Sequence, residues 1–394
     1  MKTDKRALSV YIHIPFCIRK CLYCDFLSAP ATDEMRTRYL KCLSSEIERE
    51  SHKYCAYKVR TVFVGGGTPS LLSGNEMKQL LECVKLNYDV AEDAEITAEV
   101  NPGTVNLRKL EGYYEAGINR LSIGLQSADN KELQCLGRIH SYEEFLQTYE
   151  NAVKTGFNNI NIDLMSAIPG QTVESYQKTL KAVLSLNPSP THISAYSLIL
   201  EEGTPFGDNP PELPDEETDR EMYKITDEML KDSGYHRYEI SNYAKEGYEC
   251  IHNKVYWKRG DYVGFGIGAA SLVDNVRFHN IADIEEYMGQ LEKYKEISLP
   301  ELHLKEDIQS LSVEEQMEEY MFLGLRLTEG ISEKDFFETF QKSIHEVYPG
   351  LIAKLKKQGL IICEPEDENG NRIKLSDFGL DVSNVVMAEF LLTE

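Results

Sequence analysis

The sequence predicts an α/β fold, a partial barrel of six β/α units followed by an extension and a small winged-helix-like α+β module, on three observations. Short β-like runs alternate with longer helical ones through the first half of the chain. Inside those runs polar and apolar residues alternate, so one face stays polar in strand after strand. From about residue 313 the pattern turns helical and then closes on a short hairpin.

The strands follow in order. In the first, 9–14, Tyr11 and His13 oppose Val10, Ile12 and Ile14. The second is 61–64. In the third, 95–100, Glu95, Thr97 and Glu99 oppose Ile96, Ala98 and Val100, and in the fourth, 120–126, Arg120, Ser122 and Gln126 oppose Leu121, Ile123 and Leu125. In the fifth, 159–165, Asn159, Asn161 and Asp163 oppose Ile160, Ile162 and Leu164; the sixth is 192–198. Amphipathic stretches at 33–50, 75–86, 173–186 and 216–231 lie between them, which implies a parallel sheet with right-handed crossovers. A sheet covered on both faces reads as continuous apolar runs, and a closed eight-stranded barrel fills with branched aliphatics. A polar inner face points instead to an incomplete barrel around a ligand, the alternative being polar groups that satisfy one another.

Residues 201–217, rich in proline and acid, predict an exposed loop. A Tyr/Gly-rich segment follows, and then helices at 313–327 and 351–358 and a hairpin with its turn at Asn369-Gly370. The expected domains are 1–235, 236–300 and 301–394. Their length supports two to three domains.

Lys and Arg total 42 against 65 Asp and Glu, a net charge of −23, which disfavours nucleic acid and anionic membrane as partners. No run approaches the roughly 18 apolar residues of a membrane span. Nine cysteines, an odd number with three crowded into 17–24, predict a ligand cluster in a reducing, cytoplasmic setting rather than a disulfide framework.

Cys17, Cys21 and Cys24 form CxxxCxxC just after the first strand, at the end where parallel barrels carry their chemistry. Structural zinc usually takes four ligands in two pairs, and no second pair lies nearby. A cubane held by three cysteines keeps one iron open to an exogenous ligand.

YIHIPFCIRKCLYCDF, GGGTP at 65–69 and IDLMSAIPGQT at 162–172 together resemble the radical S-adenosylmethionine superfamily, in its coproporphyrinogen-dehydrogenase branch, over most of the chain. The resemblance implies a partial (β/α)6 TIM-like barrel holding a [4Fe-4S] cluster on Cys17, Cys21 and Cys24, with S-adenosylmethionine on the open iron. It implies cofactor contacts from Tyr11 and Tyr23, from Gly66, Gly67 and Thr68 against the methionyl part, and from Glu99, Gln126 and Asp163 to ribose and polar groups. Arg138 then meets the cofactor carboxylate, and Ser197 lines the adenine site. Read alone, GGGTP is only a tight turn.

Two departures bear on activity. The decarboxylating members carry a further cysteine where this chain has Phe26, and a longer segment before the first strand, where only ten residues precede Tyr11 here. HNKVYW at 252–257 is similar to the haem-chaperone offshoot of that branch. This implies haem as cargo, with His252 as axial ligand, Tyr256 and Trp257 as flat apolar surface and Lys254, Lys258 and Arg259 as a basic island for propionates. Cys250 is an alternative thiol site, and a satisfied structural histidine is the alternative for His252. Haem-accepting proteins, membrane respiratory proteins among them, are the implied partners, and a homodimer stays open. The competing activity is an oxygen-independent coproporphyrinogen III dehydrogenase of porphyrin biosynthesis.

Overall fold

Alternation along each strand decides which side chains this barrel keeps inside. The structure, a computed structural model, describes residues 5–293, 303–367 and 370–392. Six strands, β1 (Arg6–Ile14), β2 (Tyr57–Gly66), β3 (Val90–Val100), β4 (Arg120–Gln126), β5 (Ile160–Ser166) and β6 (His192–Ser197), pair in parallel in chain order. Val10, Ile12, Val64, Ala98, Leu121, Ile123 and Ile162 turn outward and are buried in the main core. Ser9, Thr61, Glu95, Arg120, Asn161 and His192 point the other way and are buried as well, in a polar lumen.

The connecting helices, which include Asp33–Glu50, Gly74–Asn87, Val173–Leu184 and Glu216–Asp232, have sequence-encoded ends. Ser73, Ser141 and Thr172 each close a capping box, which satisfies N–H groups that a helix start leaves unpaired. Gly117 and Gly156 stop their helices in the left-handed conformation.

The Tyr/Gly-rich extension adds strands on both sides of the six barrel strands. After β6 come the antiparallel β7 (His236–Glu239) and β8 (Asn242–Ala244), and β8 is the one beside β6. The chain then crosses through the helix Ile251–Trp257 and returns as β9 (Tyr262–Phe265), parallel to β1. β10 (Ala270–Val273), β11 (Val276–Asn280) and β12 (Lys305–Ser310) continue the sheet outward, giving the order β12-β11-β10-β9-β1-β2-β3-β4-β5-β6-β8-β7. A second core, including Met317, Met321, Phe336, Ile352 and Phe390, belongs to the C-terminal module, in which β13 (Ile331–Ser332), β14 (Ile361–Asp367) and β15 (Gly370–Leu375) form a separate sheet. Asn369 of the expected turn and the expected boundary at 300/301 lie outside the described residues.

The 201–217 expectation is corrected in part. Pro205–Asp208 is helical, Phe206 is buried beside Leu136, Met165 and Ile168, and its N–H donates to Leu22 O at 3.0 Å. Among the described residues no helix is long and apolar enough to cross a membrane.

Glu46 ties the extension to the first helix: it accepts from Gly266 N at 2.9 Å, Asn280 Nδ2 at 2.6 Å and the Tyr287 hydroxyl. Burial pushes its carboxyl up to about 7 despite those donors. A carboxyl raised on folding contributes stability that is complete below its unfolded pKa, about 4.5, and lost as pH rises through 7. Glu46→Gln is expected to remove a loss of about 3 kcal/mol between pH 4.5 and 8, measured as the pH dependence of urea unfolding relative to wild type. Parallel pH profiles for the two proteins would contradict this.

Candidate functional site

The strand ends of the barrel converge on one cavity of about 360 Å³. After β1, the loop bearing the three thiols is fastened on both sides. Cys17 N–H donates to Ala29 O at 3.1 Å, Ala29 N–H to Pro15 O at 3.0 Å, and Leu22 N–H to Leu136 O at 3.1 Å. Cys17, Cys21 and Cys24 all line the cavity.

The glycines after β2 are there because nothing larger fits. Gly66 has φ +111°, and a Cβ on it would sit 2.5 Å from the His13 ring. A Cβ on Gly67 would sit 2.8 Å from Phe16 O and 3.0 Å from Cys17 Sγ. Gly66 N–H donates to Glu99 Oε2 at 3.0 Å, and Gly67 N–H to Ile14 O at 2.9 Å. The turn is thus tight and also a wall of the cavity.

Thr68 and Arg138 bridge the wall to the thiols. Thr68 Oγ1 donates to Cys17 Sγ at 3.4 Å and accepts from Asn101 Nδ2 at 2.9 Å. Arg138 Nη1 reaches Cys21 Sγ at 3.7 Å, while Nη2 donates to Gly124 O at 2.7 Å and Asn101 Oδ1 at 2.8 Å. Burial pushes the Cys24 thiol up to about 11, so a bare thiolate is unfavourable there. Three soft donors in a loop, two of them receiving hydrogen bonds, fit a cationic iron–sulfur cluster that holds the sulfurs as thiolates.

Opposite the thiols stand the expected polar contacts. Glu99, Gln126 and Asp163 line the cavity, as do Tyr23, Gly66, Gly67, Thr68 and Arg138. Burial, reinforced by Asp163, raises the Glu99 carboxyl to about 8, and burial raises Asp163 as well. A protonated Glu99 carboxyl both donates and accepts, which suits a hydroxyl. Gln126 holds φ 71° and accepts the Tyr196 hydroxyl at 3.1 Å. Such strain in a non-glycine residue is concentrated at functional sites.

Two expected contacts lie elsewhere. Tyr11 stands three residues before the end of β1 and is not among the residues lining the cavity; its hydroxyl is 3.0 Å from His13 Nδ1. Ser197 faces out of the barrel and donates to Asp219 Oδ1 at 2.8 Å. Alternation places Ser194 and Tyr196 of β6 on the cavity instead. Asn101, Phe63 and Asn253 also line it. Asn101 lies directly after β3, at a strand end like Gln126, and that position was the available signal.

HNKVYW forms the helix Ile251–Trp257, which enters the lumen beneath this cavity. His252 is 1% exposed, stacks on Phe63 at 5.1 Å between ring centroids and bonds through both nitrogens. Thr61 Oγ1 gives its proton to Ser9 Oγ at 2.7 Å, so His252 Nδ1 donates to Thr61 at 2.7 Å and Nε2 accepts from the Tyr256 hydroxyl at 2.9 Å. Burial and then Arg120 lower the imidazole to about 3, which keeps it neutral. Cys250 is fully buried beside Glu95, and its thiol is raised to about 12 by burial.

The basic island is not free. Lys258 pairs with Glu329 at 2.8 Å, and Arg259 with the buried Glu319 at 2.9 Å, so these charges tie the helix to the C-terminal module. Trp257 is stacked under Arg326 at 4.2 Å, and Lys254 is half-buried on the same helix.

The Radical SAM superfamily model matches residues 11–183, and the HemN C-terminal domain model matches 311–382. "Heme chaperone HemW" of Bacillus subtilis is 35% identical over 388 residues, covering 97% of this chain and 99% of the relative. The protein of that name from Lactococcus lactis is 33% identical and covers 98% of each, and the one from Escherichia coli is 43% identical over 68% of this chain and 70% of its own length. The solved structure of coproporphyrinogen III oxidase (HemN) from Escherichia coli, described as a radical SAM enzyme, superposes with a TM-score of 0.83, at 23% identity, covering 99% of this chain and 91% of that one.

Proposed function

This chain belongs to the HemW family of haem chaperones within the radical SAM superfamily, and from that premise we propose that it binds haem and passes it to acceptor proteins, on a scaffold that holds a [4Fe-4S] cluster and S-adenosylmethionine. The observation that carries the scaffold reading is the convergence of three thiols, two carboxyls and Arg138 on one cavity. When bound, the cluster supplies an iron open to the amino and carboxylate groups of the cofactor and a route for one electron.

The chain's own residues do the positioning. Gly66 and Gly67 allow close approach of the methionyl part, Arg138 receives the cofactor carboxylate by charge-assisted hydrogen bonds, and Glu99 and Asp163 hold hydroxyls. Tyr23, between two cysteines, packs the cofactor against the thiol loop. Phe26 is 56% exposed at the cavity rim, in the place where the decarboxylating relatives carry a further cysteine.

For haem, His252 is the proposed axial ligand. Its free electron pair is on Nε2, so iron takes the place of the Tyr256 hydroxyl, and the helix Ile251–Trp257 moves out of the lumen to allow it. The same reading carries a cytoplasmic location and haem-accepting membrane respiratory proteins as partners.

Anaerobic reconstitution with iron and sulfide, followed by haem titration, tests the function. About one haem per chain is expected, with an absorption spectrum that shifts in His252→Ala. An unchanged spectrum removes His252 as ligand, and no saturable haem binding removes the chaperone reading. Carbon dioxide release from coproporphyrinogen in the same preparation would favour the dehydrogenase instead.

A further inference from the structure

Arg120 differs from the other arginines of the barrel. Its side chain is 2% exposed, points into the lumen from the first residue of β4 and lines the cavity. Arg138 is anchored through Nη2 by Asn101 and Gly124, and its Nη1 reaches Cys21 Sγ at 3.7 Å. Arg120 Nε has no hydrogen-bond partner, and among the described residues no ion pair includes this side chain. A buried cation without a counter-ion is costly, so its persistence calls for a partner that the chain itself does not provide.

The neighbouring carboxylates do not fill that role. Glu95 accepts the N–H groups of Ile251 at 3.1 Å and His252 at 3.0 Å and also the Cys250 thiol, so it caps the helix that seals the lumen. Asp163 accepts from Asn161 Nδ2 at 2.7 Å and from the Ser122 hydroxyl at 3.4 Å. Both lend Arg120 a favourable field without touching it. The lining of the same cavity also includes the short neutral side chains of Ser122, Asn161, Ser194 and Asn253. One unpaired planar fork among neutral donors matches the geometry of a carboxylate.

We propose that Arg120 anchors a second carboxylate subsite, on the floor of the barrel cavity, for a small aliphatic carboxylate distinct from the one that Arg138 receives. Asn253 gives the HNKVYW helix a direct hand in it, because the helix reaches the cavity through this residue while His252 is engaged behind it. The proposal rests on the reading of the upper cavity as the S-adenosylmethionine site.

Thermal shift of the full chain with sodium propionate, against sodium chloride at equal ionic strength, tests it. Wild type is expected to be stabilised saturably by propionate alone, with and without saturating S-adenosylmethionine. Arg120→Gln is expected to weaken the propionate response at least about tenfold and to keep S-adenosylmethionine binding. Should Arg120→Gln fail to fold, Asn253→Ala leaves the cation in place and is expected to weaken propionate severalfold. Equal responses in wild type and variant, or no saturable response in wild type, overturn the subsite. Abolition of the response by S-adenosylmethionine also overturns it, since Arg120 would then belong to the cofactor site. Failure of the cofactor reading shows separately, as wild type that does not bind S-adenosylmethionine or as Arg138→Gln that binds it unchanged.

Discussion

Replacing His252 with alanine is expected to cost the apoprotein about 4 kcal/mol, seen as a lower urea midpoint with unchanged slope. The imidazole fills space between Phe63 of β2 and Tyr256 of its own helix, and its removal opens a void that these packed walls close only in part. It also strands the Tyr256 hydroxyl and takes from Thr61 one of its two partners, leaving Ser9. Tyr256→Phe removes one hydroxyl and leaves the ring, so a loss of about 1 kcal/mol is expected there. A His252→Ala protein within about 0.5 kcal/mol of wild type would show the lumen to be far looser than its hydrogen bonds indicate. The haem spectrum of His252→Ala must therefore be read well below its own unfolding midpoint, with Tyr256→Phe as the partner measurement.

Gly67→Ala is expected to lower iron per chain severalfold after reconstitution while leaving the far-ultraviolet circular dichroism spectrum unchanged. The added methyl meets the Phe16 carbonyl oxygen at 2.8 Å, Ser28 Cβ at 2.9 Å and Cys17 Sγ at 3.0 Å, so the thiol loop has to shift. On the proposed reading a cluster would need all three sulfurs in place, whereas the sheet behind them does not. Gly289→Ala supplies the contrast: its Cβ meets nothing within 4 Å, and helix propensity favours the change by about 1 kcal/mol. Full iron content in Gly67→Ala would dissociate the GGGTP turn from the cluster.

The sequence carried the barrel well because period-two alternation is local. Glu95, Thr97 and Glu99 announce their shared face without knowledge of any partner, and the thiol spacing does the same for the cluster loop. What escaped it was set by residues far away. Lys258 and Arg259 look like a free basic patch until Glu329 and Glu319 arrive from the C-terminal module. The resemblance implies a cofactor contact at Ser197, yet alternation from His192 assigns Ser194 and Tyr196 to the lumen. The strands of the extension are short, so no window of pattern reveals that 236–239 and 262–265 join one sheet on opposite sides of the six barrel strands. Phe206 was hidden in an acidic, proline-rich stretch whose composition outweighed one aromatic residue.

The placement of β9 against β1 also governs how the protein is made. On a ribosome, β1 acquires β2 early, but its other edge waits until Tyr262 has been synthesised, some 250 residues later. Throughout that interval Ser9 to Ile12 present unpaired backbone groups beside the thiol loop, an edge able to recruit strands from neighbouring nascent chains. Synthesis of the extension is thus the step that closes the N-terminal margin, and chains released before it are the ones expected to aggregate.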